Sequence, residues 1–135
     1  MNDLNQISSA LGLSETWEEK NGSWWIAPVA LDIRLMAAVM RSHEARLVTL
    51  TAMQLAHDAP IRLDYHWDIE GQLLTFTTQA QGNQVPSIVD LCEAADWVER
   101  ETHENFSINF TGHDYEPLLL RAGDASGLQL RKEAP

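Results

Sequence analysis

The sequence predicts an α+β two-layer sandwich, a mixed and mostly antiparallel sheet with helices on one face, formed by a single domain over residues 1–135. Three observations carry that prediction. Ile61, Leu63, Tyr65 and Trp67 alternate with Arg62, Asp64, His66 and Asp68, the pattern of a half-buried strand. Asn21-Gly22 and Glu70-Gly71 are turn dipeptides standing between apolar runs, so the flanking strands pair antiparallel. Helical stripes and strands are partly segregated along the chain.

The elements follow in order. Residues 2–12 read as a short helix with Leu4, Ile7, Ser8 and Leu11 on one side, ended by Gly12. Residues 15–27 hold Trp17, Trp24, Trp25 and Ile26 around the Asn21-Gly22 turn, a hairpin closed by Pro28. Asp32 is placed to cap a helix from Ile33 to about Glu44, where Leu35 and Val39, and Met36 and Met40, recur at spacings of four. Residues 46–55 read as a strand with apolar side chains in both alternating sets, so both faces are expected to be buried. The alternating segment and residues 73–80 then form a hairpin about Glu70-Gly71, and residues 81–84 a loop. Pro86-Ser87 is expected to open the second long helix, with Ser87 as cap and Asp90 at the capping-box position. Ile88, Leu91, Cys92, Ala95 and Val98 line its inner face; Asp90, Glu93, Asp96, Arg100 and Glu104 line the outer one. Phe106 to Phe110 reads as a short strand that turns at Gly112-His113.

Composition narrows the function. The formal charge is −11, from 20 acidic against 9 basic side chains. Phosphate backbones and anionic membrane surfaces are repelled by such a chain, which argues against nucleic acid; an acidic surface most often serves solubility alone, and it also suits docking to a basic partner subunit. No apolar run reaches the roughly 18 residues of a membrane span. No basic stretch followed by an apolar one opens the chain, so a soluble, cytoplasmic protein is expected. The one cysteine, Cys92, excludes an internal disulfide and cannot alone hold an iron–sulfur cluster or structural zinc. No glycine-rich phosphate loop is present. No cofactor is expected, and a redox group would sit in a partner.

The stretch from Ala95 to Leu120 concentrates the candidate residues. Glu99, His103 and His113 invite a zinc reading, though no HExxH or close-spaced ligand pair supports it. Glu99 and Glu101 point about 200° apart on a helix and cannot flank one atom. Glu99 and His103 do meet at i,i+4, but no nucleophile stands near them. Arg100 is the only basic residue, histidines aside, between Arg62 and Arg121, with Asp96 four before it and Glu104 four after. Either it belongs to a solvated ladder of surface ion pairs, or it forms a semi-buried pair with a glutamate that fixes the helix against sheet or partner.

Three motifs in and just before this stretch resemble one family. They are Pro86-Ser87-Ile88-Val89-Asp90, then Ala94-Ala95-Asp96-Trp97-Val98-Glu99-Arg100-Glu101, then Phe106-Ser107-Ile108-Asn109-Phe110-Thr111-Gly112-His113. Together they look like the signature of the 30 kDa subunit of respiratory complex I, the NADH–quinone oxidoreductase, with the related subunits of energy-converting membrane-bound hydrogenases. The resemblance runs from about Ala45 to the C-terminus, where Leu130-Arg131-Lys132-Glu133-Ala134-Pro135 resembles the family's closing tail. Ser107 stands where the family pattern has glycine, and Asp114 where it has proline. The resemblance implies a subunit with no cofactor and no active site of its own. Its partners would be a large subunit that bears the quinone or nickel–iron site and an iron–sulfur small subunit, and it would meet the membrane only through them. Glu99, Arg100, Glu101, Phe106, Gly112 and His113 are then docking and bracing residues, and Arg131 and Lys132 reach along the partner. The alternative is a free-standing protein-binding module diverged from that family.

Overall fold

The structure, a computed structural model, describes residues 2–114. In chain order the elements are α1 (Asn2–Leu11), β1 (Glu18–Lys20), β2 (Ser23–Ile26), α2 (Ile33–Ser42), β3 (Arg46–Met53), β4 (Arg62–Ile69), β5 (Gln72–Gln79), β6 (Gln84–Pro86), α3 (Ala95–Phe106) and β7 (Asn109–Thr111). Five strands form one sheet in the order β1-β2-β5-β4-β3. β2 runs parallel to β5, and the other neighbours in that sheet are antiparallel. β6 and β7 form a separate parallel pair. This is the predicted α+β class with its mixed sheet.

The hairpin of β4 and β5 is the centre of the sheet. Its turn residues Glu70 and Gly71 both have positive φ, the conformation a two-residue hairpin turn needs. The predicted alternation puts Leu63, Tyr65, Trp67 and Ile69 of β4 on one face, joined by Leu74 and Phe76 of β5, all buried. Met36, Ala37 and Met40 of α2 and Leu4 and Ile7 of α1 complete that core. Each fully buried apolar side chain of this size is worth roughly 1.5–3 kcal/mol, so this layer dominates the stability of the fold. Asp32 caps α2, its side chain accepting from Leu35 N–H at 3.0 Å.

The other face is polar and internally bonded. Asp64 is 4% exposed and accepts from Arg62 and from Thr77 Oγ1–H at 2.7 Å. The His66 ring bridges Thr51 at 3.1 Å and Thr75 at 2.8 Å, and burial holds its pKa below the usual histidine value.

Three local expectations are corrected. β3 buries one face, not two: Val48 is an extra residue between Leu47 and Thr49, so the inward set passes from Leu47 to Leu50 and Ala52. That bulge swaps the phase, which is why both alternating sets contain apolar residues. The second long helix starts at Ala95, not at Ser87, and Ala94 at its N-cap makes no side-chain cap bond. Ser87 and Asp90 are engaged elsewhere: Asp90 takes two bonds from Arg34, at 2.8 and 2.9 Å, and Arg34 also donates to the Ser87 carbonyl. Residues 88–95 instead form successive turns, such as Cys92 N–H to the Ile88 carbonyl at 2.8 Å. Finally, Gln84 opens β6 rather than ending a loop, because β7 returns to pair with it.

Candidate functional site

The acidic helix turns its most conspicuous charge inward. α3 packs beside β3 and leads into β7, so its Glu99 side faces the segment between β6 and the helix itself. Glu99 is 0% exposed. Its Oε1 accepts from Ser87 Oγ–H at 2.6 Å and its Oε2 from the Ile88 N–H at 2.9 Å. The His113 Nδ1 lies 2.9 Å from the same Oε1.

His113 reaches this position because Gly112, with φ +91, reverses the chain after β7. A Cβ at Gly112 would meet nothing within 4 Å, so the backbone angle and not space calls for glycine. The second His113 nitrogen, Nε2, lies 2.7 Å from Asp96 Oδ1, and Arg100 Nε donates to that same oxygen at 2.9 Å. Five residues thus form one linked series: Ser87, Glu99, His113, Asp96 and Arg100.

Both imidazole nitrogens of His113 face carboxylate oxygens, so the ring is held between Glu99 and Asp96. Desolvation by burial raises the Glu99 pKa, opposed by the Ile88, Ser87 and His113 bonds, while the His113 bond first and then Arg100 lower that of Asp96. The two carboxyls are thus pushed apart, the buried one upward and the exposed one downward. Burial of the Glu99–His113 pair stabilises only when hydrogen bonds satisfy it, as they do here. Tyr65, whose OH is buried without a hydrogen-bond partner, lies close enough for Glu99 to add to the rise of its pKa, which burial chiefly causes.

The remaining predicted residues fall apart from this centre. Arg100 is semi-buried, its side chain 23% exposed, but its ionic partner is Asp96 and not a glutamate. Glu101 faces solvent, and Glu104, expected on the outer face, is buried. Phe106 ends α3 and lies in the core instead of opening a strand. His103 turns away from Glu99, its Nδ1 2.8 Å from the Ile108 carbonyl. Among the described residues no group of three or more His, Cys, Asp or Glu is placed to hold a metal ion. Arg131 and Lys132 lie outside the described residues. Sequence reasoning missed Ser87 as a Glu99 ligand and Arg34 as the clamp on Asp90. Trp97 of α3 is 59% exposed.

Comparison with known proteins places these residues in context. A family model described as "Respiratory-chain NADH dehydrogenase, 30 Kd subunit" matches residues 29–135, which adds α2 to the region where the motifs resemble that family. The NAD(P)H-quinone oxidoreductase subunit J of Prochlorococcus marinus (strain MIT 9303) is 42% identical over 64 residues, 47% of this chain and 35% of the relative. The subunit J of Synechococcus sp. (strain RCC307) is 36% identical over 87 residues, 64% of this chain and 44% of the relative. Each match thus spans less than half of the curated relative. Two solved structures share the fold at 19% identity. The trypsin-resistant fragment of Nqo5 superimposes with a TM-score of 0.65, covering 85% of this chain and 97% of the fragment. A chain of the membrane-bound sulfane sulfur reductase, an archaeal respiratory membrane complex, does so at 0.76, covering 93% of this chain and 78% of that one.

Proposed function

The chain belongs to the respiratory-chain NADH dehydrogenase 30 kDa subunit family, and on that premise we propose that it is a non-catalytic docking subunit of a complex I-like oxidoreductase. Its complex is either a quinone-reducing NADH dehydrogenase or a related membrane-bound hydrogenase. The chain braces the large subunit, which bears the quinone or nickel–iron site, and lies near the iron–sulfur small subunit. It stays on the cytoplasmic side and reaches the membrane through those partners. Among the described residues no helix is long and apolar enough to cross a membrane, which agrees with this placement.

One observation carries the reading. The acidic side chain at the heart of the family-like motif is sealed: Glu99 has no exposure and accepts three internal hydrogen bonds. A carboxylate that no substrate reaches braces the backbone instead of doing chemistry. It fixes α3, the turn after β6 and the turn after β7 to one another. Arg100, Glu101 and Trp97 on the accessible side of α3 are then left for a partner, where charges set specificity and register more than affinity.

Expression of the surrounding operon with an affinity tag on this chain tests the proposal. The expected result is recovery of a large subunit and an iron–sulfur subunit in stoichiometric amount. Purification as a lone monomer overturns it and favours the free-standing binding module.

A further inference from the structure

The main sheet contains an incomplete pairing. β2 meets β5 only through Trp24, Trp25 and Ile26 against Leu74, Thr75 and Phe76, yet β5 continues to Gln79. The Ala80 N–H donates to the Ile61 carbonyl at 3.0 Å. Bonded and non-bonded pairs alternate along an antiparallel ladder, so Thr78 opposite Leu63 is bonded, while Thr77 and Gln79 turn their main-chain groups away from β4. The parallel register with β2 uses the Thr77 N–H against the Ile26 carbonyl. It stops there, because the residue due to donate to the Thr77 carbonyl is Pro28, which has no N–H. The Thr77 carbonyl and both main-chain groups of Gln79 are left facing away from the sheet, with no bond from a described residue.

These groups open on a cleft of about 580 Å³ whose lining includes Val29, Leu31, Val85 and Pro86. Val29 is 95% exposed at its rim. A second groove, containing Glu15, Glu18 and Lys20, adjoins the first at Ala27, Arg62 and Thr77. The basic groups along this path are already matched: Arg62 with Asp64, and Lys20 with Glu18. The carboxylates left over are Glu15, which accepts from the Val29 N–H at 3.0 Å, and Asp32. The path therefore combines free strand-edge groups, apolar walls and a net negative rim.

We propose that this cleft takes an extended, basic segment of a partner protein, which adds to the open end of β5 in line with β2. The mode is strand addition: main-chain bonds from Thr77 and Gln79 hold the segment, apolar side chains lie against the apolar lining of the cleft, and lysines or arginines meet Glu15 and Asp32. This deepens the docking-subunit reading and rests on it.

Amide hydrogen exchange on the co-expressed complex and on the isolated chain tests it, with three variants at exposed positions of the cleft wall. Ala30→Trp fills the cleft, Val29→Lys repels a basic segment, and Val29→Glu does not. The Gln79 amide should exchange at least tenfold more slowly in the complex than in the isolated chain. Ala30→Trp and Val29→Lys should weaken assembly at least tenfold with no change in the melting temperature of the isolated chain, and Val29→Glu should assemble like the wild type. Unchanged Gln79 exchange with normal assembly of Ala30→Trp overturns strand addition and leaves the subunit reading standing; recovery of no partner by the wild type overturns both. Slow Gln79 exchange in the isolated chain that deletion of residues 115–135 releases overturns it in favour of this chain's own C-terminal segment. A dimer of the isolated chain that Val29→Lys dissolves overturns it in favour of a second copy.

Discussion

Glu99 is a carboxyl group with no solvent contact, so the chain itself must supply everything that water would. Its ionisation has a pH signature with a definite sign. Burial raises its pKa above 4.5, so the folded chain binds this proton before the unfolded chain does as pH falls. The Glu99 contribution to stability therefore grows as pH falls from the raised folded value to 4.5, and is level below it. Asp96 behaves oppositely: its folded pKa is held below 3.8, so its contribution is full above 3.8 and is lost as pH falls through the lower folded value. Urea titrations at a series of pH values should show Glu99→Gln losing stability relative to wild type as pH falls toward 4.5. The amide also sets an N–H against existing donors, a cost of about 1–3 kcal/mol at pH 7. Asp96→Asn should flatten the loss below 3.8. A Glu99→Gln profile parallel to wild type would mean the proton is not held there. Tyr65 offers the converse case: its buried hydroxyl has no partner, so Tyr65→Phe should leave stability unchanged or raise it by up to about 1 kcal/mol. A melting temperature lowered by several degrees would contradict that. The sequence grouped Glu99 with His113 but added His103 to them, where the structure has Asp96. Glu99 and His113 are 14 positions apart, and only the return of β7 along β6 brings them together.

At the level of elements, α3 explains both what the sequence discloses and what it conceals. Its C-terminal end is disclosed only through the resembled pattern: Ser107, where that pattern carries glycine, sits at φ 57 in the left-handed conformation and gives its N–H to the His103 carbonyl at 2.9 Å, one residue past the point where the alternation alone began a strand. A side chain there is strained, so Ser107→Gly should stabilise the chain by about 0.5–1 kcal/mol, read from chemical denaturation midpoints at constant slope. Its N-terminal end is not legible. Ser87 and Asp90 have capping-box spacing, but Glu99 and Arg34 claim them from 12 and 56 positions away, and those tertiary bonds outweigh a local preference. β3 misleads in the same manner, since a single extra residue, Val48, reverses which set of side chains faces the core. The elements read correctly are those whose signal is local: α1 ended by Gly12, the β1–β2 hairpin about Asn21-Gly22, the β4–β5 hairpin with its two-residue turn, and α2 with its Asp32 cap.

For the molecule as a whole, the subunit reading separates assembly from stability. Arg100 pairs with Asp96 in a partly exposed bridge, with side chains 23% and 45% accessible. Loss of such a pair costs the isolated fold less than about 1 kcal/mol. Arg100→Ala should accordingly leave thermal melting almost unchanged and reduce recovery of the partner subunits severalfold in pull-down; equal loss in both measurements would make the pair purely structural. The parallel contact of β2 with β5 has a further consequence, for biosynthesis. Trp24 finds its neighbour Leu74 about fifty residues later, so at a translation rate of 5–20 residues per second the N-terminal hairpin waits roughly 3–10 s on the ribosome before its docking strand is made. During that interval Trp24, Trp25 and Ile26 lack the strand that covers them in the fold, so fast elongation over residues 27–74 shortens the exposure of these apolar side chains.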